Sequence, residues 1–314
     1  MTDMTGAISQ AVPPRIKPQL DVFAVTVLTS MCICLAVGQV AIKVANAGIS
    51  PLMQAGLRSL AGAVLLGVFC KARGIVLFER NGIFWPALLT SAFFAAEFGF
   101  LYPGLERTTV AHAVILLYTA PLVVAVGAHF LIPGDRLTVP KVTRLGLALA
   151  GVAAVVLGKD SVVPGIKGPT LTGDFMCLAG AFAWGGLTLV IRTTRLARIA
   201  PERVTFIQLL VSGPPLCALS LALGEPGING PTPLAWAAFA FTVFFVAGYV
   251  FTTTTWLFTR YPASRVMAFL LLTPIFGVIA AHACLGEALG PNLLAGLALV
   301  VAGLWLVNRP AARP

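Results

Sequence analysis

Charged residues are scarce in this sequence of 314 residues. They account for 10% of the chain, and only 11 of them are acidic. Soluble domains average about 25% charged residues. Hydrophobic residues make up 58% of the chain, and the mean hydropathy is +0.95. These values exclude an ordinary soluble protein with a large core.

The sequence also lacks the compact motifs of several enzyme classes. Gly158-Lys159-Asp160 is not a P-loop, because no glycine lies at the required spacing and no serine or threonine follows the lysine. There is no His-Glu-x-x-His, no acidic metal cluster and no Ser-His-Asp set that can be assigned to one face. The six cysteines lie in apolar segments without zinc or redox spacing. We therefore predict no bound ATP, no cofactor, no metal and no enzymatic activity.

Apolar stretches near twenty residues long recur along the whole chain, and this is the length of an α-helix that crosses a membrane. The alternating segments of about ten residues that form a β-barrel are absent. The first stretch is too long for the apolar core of a signal peptide. The sequence predicts an all-α polytopic membrane protein with ten transmembrane helices, at residues 22–44, 51–70, 82–102, 109–132, 142–158, 172–192, 203–223, 232–257, 262–285 and 290–307.

The net charge of +10 reflects basic residues in groups of one to four at the ends of these stretches. That distribution indicates membrane topology and not a nucleic-acid partner. With a cytoplasmic N-terminus, sixteen lysines and arginines fall on the cytoplasmic side and four on the other side. The positive-inside rule then predicts a multi-pass protein of the inner (plasma) membrane with both termini in the cytoplasm.

The C-terminal stretch 260–308 repeats the stretch 107–158. At an offset of 153 residues, Pro121 aligns with Pro274 and His129 with His282. Ten spans in two copies give five spans each, and an odd number requires the copies to run in opposite directions. Such inverted repeats are typical of secondary transporters, whose substrate site lies near mid-membrane between the halves. The predicted organisation is a cytoplasmic tail at 1–20, a first repeat at 21–158, a connecting loop at 159–171, a second repeat at 172–308 and a tail at 309–314.

Small residues recur every four positions in three spans. In lipid, such ridges let helix backbones approach closely, so they predict packing faces. The three ridges are Ala55, Ser59, Ala63 and Gly67; Gly146, Ala150, Ala154 and Gly158; and Gly173, Cys177, Ala181 and Gly185.

Taken together, these features resemble the drug/metabolite transporter superfamily. The resemblance rests on the ten spans, on Arg58 in the second span, on the paired prolines and on two short turns, and it covers about residues 20–308. The turns Gly134-Asp135-Arg136-Leu137-Thr138 and Gly286-Glu287-Ala288-Leu289 are similar to those of the EamA-type branch, which usually has Gly-Glu; Asp135 departs from that pattern. The resemblance implies an exporter whose cavity is lined by the third, fourth, eighth and ninth spans, joined by the first and sixth. Bacterial members of similar layout export amino acids, including aromatic ones.

Pro121 and Pro274 are candidate hinges. A proline inside a helix removes one hydrogen bond and frees the carbonyl four residues earlier, at Leu117 or Leu270. Matching positions in two inverted halves favour hinges that open a cavity alternately to each side. The other interpretation is that these are ordinary prolines of membrane helices.

Glu97 and Arg58 are the carboxylate and the guanidinium that lie well inside predicted spans. A charge in lipid is costly unless it is paired, and such residues are functional candidates. We predict a candidate Arg58–Glu97 ion pair. Glu97 is also a candidate for binding a substrate amine or a proton.

Histidines and aromatic residues supply the remaining candidates. His112 and His282, together with Glu97, are candidate proton carriers, because histidine titrates near neutral pH. Their alternative role is that of satisfied histidines at the membrane interface. Buried tyrosine and tryptophan need polar partners, which a ligand cavity can supply. We therefore predict that Glu97 lines a substrate cavity with three aromatic residues, for which core packing is the rival role: Tyr118, Trp184 and Tyr249.

The sequence thus predicts a secondary exporter of small metabolites, amino acids above all, that works by alternating access. Its expected partners are a small-molecule substrate and the lipid bilayer, and a monomer is expected, with a homodimer as the alternative. Three other interpretations remain: an exporter of another metabolite or drug class, a membrane enzyme that acts on lipid-like substrates, and a channel or passive scaffold without saturable flux. The scarcity of charge argues against the enzyme, which would need clustered carboxylates or a nucleophile.

Overall fold

The structure is a computed structural model that describes residues 20–77, 82–133, 137–158, 168–258 and 260–308. The predicted tails, apart from Leu20, lie outside the described residues. So do the turn Gly134-Asp135-Arg136 and most of the predicted connecting loop 159–171.

The described residues form thirteen α-helices, a short 3-10 helix at Arg195–Arg198 and a π-helical segment, and they contain no β-strand. The first six helices are α1 (Val22–Ala45), α2 (Pro51–Ala72), α3 (Phe84–Arg107), α4 (Val110–Leu117), α5 (Ala120–Leu131) and α6 (Val139–Leu157). The other seven are α7 (Leu171–Thr193), α8 (Pro201–Ala222), α9 (Pro233–Phe241), α10 (Phe251–Phe258), α11 (Ala263–Leu270), α12 (Thr273–Leu285) and α13 (Pro291–Asn308).

Nine helical stretches within the described residues are long and apolar enough to cross a membrane. They are α1, α2, α3, α4 with α5, α6, α7, α8, the stretch from α9 to α10, and Arg265–Leu285. A further apolar helix, Pro291–Val307, is shorter. The prediction of an all-α polytopic membrane protein is confirmed.

Two of these stretches are broken just before a proline. Two residues separate α4 from α5, and two separate α11 from α12. Pro121 and Pro274 therefore lie in the first turn of α5 and of α12. Backbone N–H groups in a first turn make no hydrogen bond within the helix, so a proline there costs none. The Leu270 carbonyl, which the sequence predicted to be freed, accepts a hydrogen bond from the hydroxyl of Thr273 at 2.7 Å. Both prolines thus begin a new helix instead of bending a continuous one.

The stretch from α9 to α10 contains a π-helical segment, Thr242–Val250, which the sequence did not predict. A π-helix is wider than an α-helix, and such segments often occur at functional sites. α1 approaches this segment so closely that a Cβ atom on Gly38 would lie 2.7 Å from the Cγ2 atom of Val246. Glycine at position 38 therefore permits the contact between α1 and the π segment.

The helices pack as pairs drawn from the two halves of the sequence. α2 packs against α8, α3 against α7, and α6 against α13, and α12 contacts both α1 and α4. The main apolar core runs between these pairs and includes Leu101, Leu105, Ile115, Leu116 and Leu209. Large apolar side chains also cover the outside of the bundle, as a lipid environment requires.

The predicted ridges of small residues have different outcomes. The ridge that begins at Ala55 is buried apart from its half-buried last residue, and the ridge that begins at Gly173 is buried throughout. The ridge that begins at Gly146 is wrong at its first two residues, because Gly146 and Ala150 are exposed, whereas a Cβ atom on its last residue, Gly158, would lie 2.5 Å from Asn292 Cβ of α13. α6 instead turns Gly151 toward α13, where a Cβ atom would lie 2.7 Å from the carbonyl oxygen of Gly296.

We expect Gly151→Leu to destabilise the protein and Gly146→Leu to leave its stability nearly unchanged. Overpacking a well-packed contact costs about 1–3 kcal/mol, and here the obstacle is the backbone of α13, which cannot rotate away. Thermal unfolding of the purified variants in detergent measures the difference. Equal melting temperatures for the two variants would contradict the close crossing of α6 and α13.

Candidate functional site

A cavity of about 300 Å³ lies inside the bundle. Residues of α1, α3, α4, α5, α7, the π segment, α10 and α11 line it, as the resemblance implied for their spans, and α2 and α8 also contribute. Its polar lining consists of Gln39, Arg58, Glu97, Thr205, Gln208, Thr242 and Thr254. Its aromatic lining consists of Phe94, Phe98, Tyr118, Trp184 and Phe251. The cavity is therefore mostly apolar with a few polar groups, which is the usual composition of a small-molecule site.

Glu97 lies on α3 and lines the cavity, although only 7% of the residue is exposed. No hydrogen bond or ion pair from the described residues reaches its carboxylate. Buried charges are normally paired or hydrogen-bonded, because an unpaired one costs several kcal/mol. The carboxylate of Glu97 is thus buried, and it can accept hydrogen bonds from a molecule in the cavity.

Arg58 lies on α2 and is 2% exposed. Its guanidinium carbon lies 4.6 Å from the ring centroid of Phe98, a cation–π arrangement. Its Nε and Nη1 atoms are buried and have no hydrogen-bond partner. Within the described residues it does not form an ion pair with Glu97, although both line the same cavity. The structure thus brings the predicted pair to one cavity and leaves a gap between the two charges.

The predicted aromatic residues separate into two groups. Tyr118, in the break between α4 and α5, packs edge-to-face against Trp184 of α7 with ring centroids 5.4 Å apart, and both line the cavity. Tyr249 lies in the π segment outside that lining. Its hydroxyl shares a hydrogen bond of 2.7 Å with the hydroxyl of Ser30 on α1. Tyr249 therefore joins α1 to the π segment.

The helix breaks that precede the two prolines border the same cavity. Pro121 is part of the lining. Pro274 is buried outside it, whereas Leu270 and Leu271, at the break before α12, belong to it. Each helix break therefore opens onto the cavity, and a change of angle at either break would alter the cavity's shape.

A second cluster of buried polar groups lies where α1 and α3 end and where α4 and α7 begin. His112 Nδ1 lies 3.1 Å from a carboxylate oxygen of Asp174, which is 2% exposed. The hydroxyl of Thr108 donates a hydrogen bond to the same carboxylate, and the ammonium of Lys43 donates one to the carbonyl oxygen of Thr108. These contacts join four helices at the end of the bundle that is predicted to face outward.

Glu287, in the turn after α12, completes this cluster. It is 2% exposed, and its carboxylate accepts hydrogen bonds from the backbone N–H groups of Val110 at 2.8 Å and Ala111 at 2.9 Å. Lys43 Nζ lies 3.7 Å from the same carboxylate. The glutamate thus caps the start of α4, where free N–H groups favour an anion. We call Lys43, Thr108, His112, Asp174 and Glu287 the outer-end cluster.

His282 and His129 each bond to the turn that follows their helix. His282 Nδ1 lies 2.8 Å from the backbone oxygen of Glu287, and His129 Nδ1 accepts a hydrogen bond from the N–H of Leu137 at 3.2 Å. Of the three histidines, His112 is therefore the one that the structure pairs with a carboxylate. The proton-carrier role of Glu97, His112 and His282 stays a prediction.

Several residues of these sites were not singled out from the sequence. Asp174 lies within one turn of its helix start, a position that suggests an exposed acid, and only the fold buries it. Gln39 and Gln208 lie inside spans, but a neutral amide in a span is a weaker indication of a functional site than a charged residue. Gln208 donates a hydrogen bond of 2.8 Å to the hydroxyl of Thr90, whereas the buried Gln39 side-chain oxygen has no partner. No group of three or more His, Cys, Asp or Glu side chains in the described part of the chain could hold a metal ion.

An apolar helical bundle around a cavity with buried polar groups is the architecture of a membrane protein that binds a small molecule or an ion inside the bundle. Comparison with known sequences identifies the family. The sequence profile of the EamA-like transporter family matches residues 22–157 and again residues 171–309. These two ranges cover most of the chain. The protein belongs to the EamA-like transporter family.

Two relatives of known sequence are similar over most of this chain, and one of them is a transporter by name. A chloroplastic WAT1-related protein of Arabidopsis thaliana is 27% identical over 308 residues, covering 91% of this chain and 69% of the relative. The uncharacterized transporter YvbV of Bacillus subtilis is 27% identical over 278 residues, covering 85% of each chain. A crystal structure with 22% identity superposes with a TM-score of 0.62 and covers 90% of this chain and 96% of the other. At that identity the likeness concerns the fold.

Proposed function

We propose that this protein is a secondary transporter that exports small metabolites, in particular neutral amino acids, across the inner membrane by alternating access. The observation that carries the proposal is the cavity within the bundle, because it contains the buried and unpartnered carboxylate of Glu97. Ionisable residues at such depth mark substrate or ion pathways in membrane proteins. Membership of the EamA-like transporter family supports transport over catalysis.

A five-plus-five inverted repeat of ten spans is the architecture that we propose for this transport. The family profile matches the chain twice, once in each predicted half. Each match contains one helix break followed by a proline, at Pro121 and at Pro274. The equivalent helices α2 and α8 pack on each other, as do α6 and α13, and this pairing is expected around a two-fold axis between the halves.

The outer-end cluster joins α1, α3, α4 and α7 to the turn after α12, and these contacts support a cavity that is closed at its predicted outer end. The cavity lining includes Thr205, Thr254 and Met267, each about one helical turn from a helix end predicted to be cytoplasmic, and also Ile42, about one turn from the predicted outer end of α1. Export requires a loading state in which this cavity opens toward the cytoplasm while the outer-end cluster closes the opposite end.

Flux into proteoliposomes tests the proposal. The purified protein is reconstituted, and the uptake of a panel of radiolabelled neutral amino acids, amines and other small metabolites is measured with and without a proton gradient. Saturable flux of at least one neutral amino acid, absent from empty liposomes, is the expected result. Saturable flux of other metabolites alone would remove the amino-acid assignment. No saturable flux of any compound would contradict transport as a whole.

Pro274→Ala is expected to slow transport several-fold with little loss of folded protein. Alanine restores the N–H that a continuous helix from α11 to α12 could use, which favours a straight helix over the break. The matched control is Pro214→Ala, since Pro214 lies inside the unbroken helix α8 and outside the cavity lining. The initial transport rates of the two variants in proteoliposomes are compared after normalisation to folded protein. Equal rates would contradict the role of Pro274 as a hinge.

A further inference from the structure

The cavity holds two buried charges of opposite sign that do not contact each other. Arg58 lies on α2 and Glu97 on α3, and neither has an ion-pair partner among the described residues. A transporter that needed both charges only for its own stability would be expected to pair them, because unpaired buried charges are strongly destabilising. Their separation within one cavity suggests that a ligand lies between them.

We propose that Arg58 and Glu97 form the two poles of a subsite for the zwitterionic head of an α-amino acid. Arg58 binds the α-carboxylate and Glu97 binds the α-ammonium. The inference rests on the proposed function, since it names the chemistry by which the same cavity recognises its substrate.

Arg58 is suited to a carboxylate by geometry as well as by charge. Its guanidinium is a planar set of donors that can bind a carboxylate through two parallel hydrogen bonds, and no described residue accepts a hydrogen bond from its buried Nε and Nη1 atoms. The ring of Phe98, 4.6 Å from the guanidinium carbon, restrains the position of the guanidinium group. A donor group that is held in place before binding loses less entropy when the ligand arrives.

Glu97 supplies the complementary pole. It lines the same cavity as Arg58 from the neighbouring helix α3, and α2 packs against α3. An ionised carboxylate accepts hydrogen bonds only, so it matches an ammonium group, which has three donors and no acceptor. A neutral amino acid would satisfy both buried charges and would leave the net charge of the cavity unchanged.

The rest of the cavity fits the side chain of such a substrate. Phe94, Tyr118 and Trp184 supply aromatic walls. A volume of about 300 Å³ is at the lower limit of small-molecule sites, which range over about 300–1,000 Å³. This size favours an amino acid with an apolar side chain over a bulky drug.

The two poles predict a strict requirement for both charges on the ligand. A substrate analogue with one charge leaves the opposite pole buried and unpaired, and sites built to hydrogen-bond a group reject analogues that lack it far more strongly than apolar pockets reject a missing methylene. We expect the amine and the acid derived from an amino acid to bind at least tenfold more weakly than the amino acid itself.

The test uses L-phenylalanine, phenethylamine and 3-phenylpropionate, which share one aromatic group and differ in charge. Binding to the full-length protein in detergent is measured by the ligand-induced shift of the unfolding temperature and by competition against the labelled amino acid that is transported fastest. Glu97→Gln should weaken L-phenylalanine at least tenfold and change 3-phenylpropionate little. Arg58→Gln should weaken L-phenylalanine similarly and change phenethylamine little.

Two exposed residues provide matched controls. Arg73→Gln and Glu106→Gln make the same chemical changes outside the cavity, and both are expected to bind L-phenylalanine as the unsubstituted protein does. If Arg58→Gln does not fold, the three ligands and Glu97→Gln still decide the matter. Equal affinity of the three ligands for the unsubstituted protein, or a uniform effect of Glu97→Gln on all three, would overturn the subsite. Saturable flux of an amino acid would in that case still support the proposed function, whereas the absence of any flux would contradict the function itself.

Discussion

Glu287→Ala is expected to lower the free energy of unfolding by about 1–3 kcal/mol for each of the two buried N–H groups that lose their acceptor, those of Val110 and Ala111. The carboxylate of Glu287 accepts hydrogen bonds from two N–H groups at the start of α4 and lies 3.7 Å from Lys43 Nζ. Alanine leaves these N–H groups buried without an acceptor, and each such loss is costly. Thermal unfolding in detergent and the yield of monodisperse protein measure the effect.

Glu287→Gln and Glu106→Ala separate the contributions to this effect. Glutamine keeps one oxygen that can accept from Val110 or Ala111 but removes the negative charge near Lys43, so its melting temperature should lie between those of the alanine variant and the unsubstituted protein. Glu106 is exposed, and its ion pair with Arg107 is expected to contribute little. If Glu287→Ala and Glu106→Ala had the same small effect, Glu287 would not be the cap that closes this end of the bundle.

Trp184→Ala is expected to raise the KM for an aromatic amino acid at least tenfold. The indole lines the cavity and packs against the edge of the Tyr118 ring, so alanine removes one aromatic wall and releases the other. Truncation of a buried aromatic anchor in a binding site commonly costs about 2 kcal/mol or more, which exceeds a tenfold loss of affinity. Initial rates of uptake over a range of substrate concentrations give KM and kcat separately.

The size of this effect should depend on the substrate side chain. L-phenylalanine should lose most, L-leucine less and L-alanine least, because a smaller side chain contacts less of the wall. Trp236→Ala is the matched control, since Trp236 is exposed on α9 and outside the cavity lining. A uniform loss for all three amino acids would indicate general damage to the fold, and no loss at all would remove Trp184 from the substrate site.

The sequence was sufficient to find the long apolar helices and the two prolines at helix breaks, because these depend on local physics. Stretches of about twenty apolar residues satisfy their own backbone hydrogen bonds in lipid, so hydropathy finds them. Proline restricts the chain wherever it occurs, and both helix breaks lie immediately before the prolines that the repeat singled out. The turn Gly286-Glu287, which supported the family resemblance, has a structural explanation in the capping of α4 by Glu287.

The contacts between helices could not be predicted from the sequence, because they depend on how each helix is rotated about its axis. Four-residue spacing selected Gly146 for a packing face and left out Gly151, yet of these two glycines only Gly151 faces another helix. Burial of Asp174 beside His112 needs α4 and α7 to meet, which no pattern within either helix indicates. The π segment changes the helical register, and Tyr249, which was predicted to line the cavity, bonds instead to Ser30 and lies outside the observed lining.

Counterflow tests alternating access most directly. Proteoliposomes are loaded with a high concentration of the unlabelled neutral amino acid that is transported fastest, and they are then diluted into a trace of the labelled form. A carrier whose cavity opens to one side at a time exchanges one form for the other, so we predict a transient accumulation of label above its external concentration. A smooth rise of label to equilibrium, with no overshoot at any internal concentration, would contradict alternating access and indicate a passive pore.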